Sequence, residues 1–111
     1  MTSSDDRKDR SGASSGRKFA MEEALELKAT ARRNRLLGLW AGALMGLENQ
    51  HLADYAAAIV RSETAPPDDD FVQRKVAGDL LGAGLKVSED QVRGKMDELQ
   101  AVARGQIQAE G

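Results

Sequence analysis

No cysteine occurs in the 111 residues, which excludes a disulfide framework, a thiol nucleophile and a thiolate metal site. A cysteine-free chain fits a reducing compartment. Histidine occurs once, as His51. It has no acid–nucleophile arrangement and no metal-ligand spacing around it, so it reads as a surface or capping residue near a helix start. Only four residues are aromatic, Phe19, Trp40, Tyr55 and Phe71, too few for a base-stacking platform, and nucleic acid is not an expected partner. Long hydrophobic runs are missing too. The longest, Leu36–Leu47, is twelve residues and contains Gly38, Gly42 and Gly46. A membrane span needs roughly 20 apolar residues, so this stretch is expected to be a core helix. The N-terminal charges are followed by no apolar run, so a secretory signal is not expected. No Gly-rich phosphate loop follows a strand, and no Ser/His/Asp set or glutamate pair emerges. Enzyme activity is therefore not expected, and neither a metal nor a cofactor is implied.

What is present favours helix. Alanine is common and β-branched residues are sparse. The two prolines are adjacent, at Pro66 and Pro67, so the stretch from Ala20 to Leu47 has no breaker. Apolar positions there recur at Leu25, Ala29, Leu36, Trp40, Leu44 and Leu47, which is helical spacing. Arg32 falls close to the middle of that stripe, where a charge is costly unless paired. The expectation is either one long helix or two helices broken near Thr30–Asn34.

Three further helices follow. Asn49 is the expected N-cap of one that runs to about Ser62 and presents Leu52, Tyr55, Ala56, Ile59 and Val60 on one side. Pro66-Pro67 ends it. Asp68 caps the next, with Asp69 and Asp70 complementing the helix dipole. Its apolar face is Phe71, Val72, Val76 and Leu80, and Gly82-Ala83-Gly84 stops it. The last has a capping box, Ser88 with Gln91, and a hydrophobic staple, Val87 with Val92. Val92, Met96, Leu99, Val102 and Ala103 continue that stripe to about Ile107. Asp68-Asp69-Asp70 lacks the alternating ligands, glycine and terminal glutamate of a calcium loop. The fold class is thus all-α, a small four-helix bundle over residues 19–111.

Met1–Lys18 differs from the rest. It carries five basic and three acidic side chains, a net of +2, against −4 for the remainder. Five serines and two glycines fill much of it, and its apolar content is Met1 and Ala13. It buries too little to offset chain entropy, so a disordered, mobile N-terminal arm over residues 1–18 is expected. Beyond the arm, Lys28, Arg32 and Arg35 share one helical face, with Arg33 beside them. Such a cluster suits a nucleotide, another anion or an acidic partner, or it forms a solvated face with one internal ion pair.

The run Ala31-Arg32-Arg33-Asn34-Arg35-Leu36-Leu37-Gly38-Leu39-Trp40-Ala41 resembles the zeta-type inhibitor subunit of alphaproteobacterial F-type ATP synthases. Supporting pieces are Asp5-Asp6-Arg7, Lys18-Phe19-Ala20, Tyr55-Ala56, Lys75-Val76 with Gly78-Asp79-Leu80, and Val92 through Met96, Glu98 and Leu99 to Ala103. The resemblance implies a four-helix bundle whose mobile arm folds on insertion at a catalytic interface of the ATPase head and blocks hydrolytic rotation. Carried over by position, the partner-binding residues are Asp5, Asp6, Arg7, Lys18 and Phe19. The implied partner is the catalytic head, with no direct membrane insertion and a monomer when free. The implied location is cytoplasmic, peripheral to the inner membrane through the synthase. The chain departs from the family between Arg10 and Arg17, where it reads SGASSG. Glycine and serine there cost roughly 0.5–1 kcal/mol each relative to alanine in a helix, which points to weak inhibition. Two alternatives stand beside this reading: a nucleotide-responsive regulator with weak ATP or ADP binding at Lys28, Arg32, Arg33 and Arg35, and a helical adaptor using the bundle face.

Overall fold

The computed structural model describes the backbone of residues 2–64 and 66–111, and side chains from Gly16 onward apart from residue 65. Its elements are α1 (Thr2–Leu44), α2 (Asn49–Arg61), α3 (Asp69–Gly82) and α4 (Glu89–Glu110). Among the described residues there is no strand, and the fold is an all-α four-helix bundle. The expected arm lies outside the described side chains except for Gly16, Arg17 and Lys18, which are helical and exposed. Helix α1 passes through Thr30–Asn34 without a break.

Local chemistry explains the helix ends. α1 and α3 stop in the same way. Gly46 and Gly84 adopt left-handed backbones, φ 85° and 83°. Past each glycine the chain turns back: Leu47 N donates to Gly42 O and Leu85 N to Leu80 O, at 2.9 and 3.0 Å. Gly46 N and Gly84 N donate to Ala43 O and Leu81 O. This is the Schellman pattern, which needs a residue tolerant of positive φ at that position. At its start, α3 is capped as expected, with Asp68 accepting from Phe71 N at 3.0 Å. Both reciprocal bonds of the Ser88–Gln91 capping box form, at 2.8 and 3.1 Å. Asn49 is not the cap of α2. Glu48 occupies that position without a side-chain bond, and Asn49 is the first helical residue, with φ 52°. Asparagine tolerates this backbone better than most residues.

The core joins Leu37 and Ala41 of α1, Ile59 of α2, Val72, Val76, Ala77 and Leu80 of α3, and Val92 and Met96 of α4. Burying each large member stabilises by about 1.5–3 kcal/mol. Trp40, Tyr55, Val87 and Leu99 pack against it while half-exposed. Trp40 also lies beneath the Lys95 ammonium, 5.5 Å from the ring centroid, a cation–π contact between α1 and α4. A second polar tie links α2 to α3: Tyr55 Oη donates to Asp79 Oδ2 at 2.7 Å, and Lys75 reaches the same oxygen at 3.2 Å. Burial, then this bond, pushes the Tyr55 hydroxyl well above its ordinary range.

The buried stripe of α1 is rotated from the expected one. Ala29, Thr30, Arg33, Asn34, Leu37, Gly38, Ala41 and Gly42 face inward. Leu25 and Leu44 are exposed, and Leu36 and Trp40 are only partly covered. The reason is that α2 approaches α1 over small residues. A Cβ on Gly38 would lie 2.6 Å from Ala56 Cα, and one on Gly42 would lie 2.6 Å from Leu52 Cδ1. Hydrophobicity alone therefore misplaces the contact line, because its closest points carry no side chain. Phe71 and Val102 are also more exposed than their stripe positions suggest, at 43% and 44%.

Gly38→Ala tests this geometry. Alanine favours helix over glycine by up to about 1 kcal/mol, but here the new methyl meets backbone. Overpacking costs typically 1–3 kcal/mol, so urea unfolding of the variant should show a net loss of stability. A stability equal to or above wild type would contradict the close α1–α2 approach.

Candidate functional site

The basic cluster of α1 is divided by the helix that carries it. Consecutive residues point about 100° apart, so Arg32 and Arg33 face different neighbours. Arg33 turns inward and is 3% exposed. Its Nη2 donates to Asp69 Oδ1 at 2.9 Å, and Nε and Nη2 donate to Asn34 Oδ1 at 3.1 and 2.8 Å. The Arg33 guanidinium holds the Asp69 carboxyl below the usual aspartate range. Two nearby atoms are enclosed without partners, Asn34 Nδ2 and Glu63 Oε1. Arg33 is thus a structural ion pair joining α1 to the start of α3. It is separated from the other three cations.

Arg32 turns toward α4. Its two terminal nitrogens donate to the Glu110 carboxylate at 2.6 and 2.9 Å, and Nη1 also reaches Gln106 Oε1 at 3.0 Å. The pair lowers the Glu110 carboxyl and raises the Arg32 guanidinium. Lys28, Arg32 and Arg35 border one open groove together with Ala31, Val60, Ile107 and Glu110. The shared face expected for these three cations is therefore present. Arg35 also borders the adjoining groove over Leu39, Ala57 and Val60, where Arg61 of α2 joins it. Arg61 and Glu110 were not legible as members of this surface. Each lies at a helix end remote in sequence, and only the packing of α2 and α4 along α1 brings them in.

From Gly16 to Lys28 the side chains of α1 are exposed. Phe19 and Met21 are 69% and 66% exposed, and Leu25 and Leu27 are 45% and 49% exposed. Lys18 is likewise exposed. Asp5, Asp6 and Arg7 lie outside the described side chains. The last turns of α4 hold this part of α1 by polar contacts. Arg104 Nε donates to Glu26 Oε2 at 3.0 Å, and Gln100 donates to Glu26 Oε1 at 3.1 Å. The bond from Arg104, ahead of the opposing effect of burial, lowers the Glu26 carboxyl. His51 is exposed. Among the described residues no cluster suits a metal ion, and no helix is long and apolar enough to cross a membrane.

Comparison with known proteins decides the lineage. A model of the family described as ATPase inhibitor subunit zeta matches residues 1–106. The chain belongs to the ATPase inhibitor subunit zeta family. Its fold also matches a solved structure described as "Solution NMR structure of the protein", 38% identical, with a TM-score of 0.67. That match covers 78% of this chain and 99% of the other. No curated protein matches. The zeta family match confirms the resemblance read from Ala31–Ala41. It places the chain among inhibitor subunits, a regulatory class of proteins associated with ATP synthase.

Replacing Arg33 tests its structural role. Arg33→Met keeps bulk but leaves Asn34 Oδ1 and Asp69 without their donor. At neutral pH the variant should lose about 1–3 kcal/mol in urea unfolding, the usual cost of stranding a buried polar group. Because the folded state lowers the Asp69 value, the ion pair contributes stability above the ordinary aspartate value of 3.8. That contribution fades as pH falls below it, so the gap between wild type and variant should narrow in acid. An unchanged midpoint at neutral pH would contradict the assignment.

Proposed function

We propose that this chain binds the catalytic head of an F-type ATP synthase through its N-terminal arm and inhibits ATP hydrolysis. The observation that carries the reading is the extent of the family match, which begins at residue 1 and so includes the arm. The exposure of Lys18, Phe19 and Met21 supports it, since these side chains are free to meet a partner without disturbing the core. Asp5, Asp6, Arg7, Lys18 and Phe19 are the contact residues. An arm that orders on binding can enter a cleft and be withdrawn again, at the cost of its ordering entropy. The subunit acts as a monomer at the cytoplasmic head, peripheral to the inner membrane, and carries out no chemistry of its own.

Inhibition is proposed to be weak. Gly12, Gly16 and the three serines of SGASSG each cost roughly 0.5–1 kcal/mol relative to alanine on entering a helix. If the arm inserts as a helix, affinity falls accordingly.

A second reading rests on the groove that collects Lys28, Arg32 and Arg35. There the chain would respond to ATP or ADP through phosphate contacts. Arg33 takes no part in it, being buried and paired.

One experiment tests the arm reading. Purified catalytic head is assayed for ATP hydrolysis with the full chain and with a variant lacking residues 1–18. Partial inhibition by the full chain and none by the deletion variant is expected. Full inhibition at near-stoichiometric protein would refute the weak-inhibitor claim. Equal inhibition by both would refute action through the arm.

A further inference from the structure

The connection between α2 and α3 carries one glutamate, Glu63, immediately after the C-cap residue Ser62. Its side chain is partly buried, and its Oε1 is enclosed without a hydrogen-bond partner. Charged groups from three helices act around it. Arg33 of α1 is near enough to attract it, but that guanidinium is engaged by Asn34 and Asp69. Asp69, the first residue of α3, repels it. Arg93 of α4 bonds Asp70 at 3.1 Å and Gln73 at 3.0 Å, and acts on Asp69 at longer range. The site thus holds two carboxylates around one buried guanidinium, and the guanidinium is bonded to the other carboxylate.

We propose that Glu63 is a proton-controlled latch. Uncharged, it keeps its enclosed Oε1 inside and holds residues 62–64 down. Charged, it swings out to water and loosens residues 62–64. The proposal goes beyond the inhibitor reading and does not depend on it.

The physics runs in one direction. A carboxylate with one enclosed, unpartnered oxygen carries a desolvation cost that its neutral form largely escapes. Burial is the largest influence on Glu63 and raises its carboxyl; the attraction of Arg33 opposes this and the repulsion of Asp69 adds to it. The side chain can avoid the cost by leaving, because little holds it. Glu63 N donates only to Val60 O, at 3.2 Å, in a stretch that has already left the helix. For an acid raised in the folded state, stability falls as pH climbs from the unfolded value through the folded one. Asp69 has the opposite sign: its lowered value stabilises at higher pH and fails only in stronger acid. The latch is therefore shut in an interval bounded below by Asp69 and above by Glu63.

The test is a pH titration of the full chain by carbon-detected NMR of the side-chain carboxyls, with amide exchange at Ser62, Glu63 and Thr64. A peptide covering residues 60–67 supplies the unfolded reference. Glu63 should titrate above the peptide value. The amides of Ser62, Glu63 and Thr64 should shift with the same midpoint and exchange several-fold faster above it, after correction for intrinsic rates. Glu63→Gln should fix those amides at their acid-side positions at every pH. A Glu63 midpoint at or below the peptide value overturns the proposal, as does a connection whose amides ignore that midpoint. Should the variant fail to fold, the wild-type titration decides alone.

Discussion

The close approach of α1 to α2 is the constraint on which the rest depends. Gly38 faces Ala56 across a gap that leaves no space for a methyl group. Seating α2 there puts Leu37 and Ala41 against Ile59, and the hydrophobic faces of α3 and α4 then close the core with Val76, Leu80, Val92 and Met96. The same contact fixes the rotation of α1 about its axis. Once Gly38 and Gly42 face α2, Arg33 must enter the interior and Arg32 must turn toward α4.

That rotation explains why one basic cluster does two jobs. Arg33, enclosed, needs Asn34 and Asp69 as partners, and it ties α1 to the first turn of α3. Arg32 lies at the surface with Glu110, where solvent screens the pair. Together with the Glu26–Arg104 bond it pins the last turns of α4 along α1. Helix α1 is thereby gripped along its buried side from Ala29 to Gly42 and held at Glu26 by α4, while its side chains from Gly16 to Lys28 stay exposed. On the proposed inhibitor reading, the gripped half is the anchor and the exposed half leads to the arm.

Much of this was legible from residue patterns. The Ser88–Gln91 box, the Asp68 cap and the Val72, Val76 and Leu80 face are set by local chemistry, and each forms as read. The buried side of α1 was not legible. Its contact line runs over alanine and glycine, which weigh little in any hydrophobic count, while the conspicuous Leu25 and Leu44 stay exposed. The buried arginine was off by one position for the same reason. Arg33 became identifiable only when Asp69, 36 residues away, was placed beside it. Asn49 failed as a cap because the chain leaves Gly46 in a left-handed turn that puts Glu48 at the capping position. The family string Ala31–Ala41 was informative because it spans this whole region, buried and exposed faces together.

The central functional claim is that the partner meets α1 ahead of its gripped segment. Amide hydrogen exchange of the chain, alone and with purified catalytic head, tests it most directly. Free, protection should be strong from Ala29 to Gly42 and should fall away toward Gly16. With the head added, new protection should appear before Ala29 while α2, α3 and α4 change little. New protection confined to α2, α3 or α4, with none before Ala29, would contradict it.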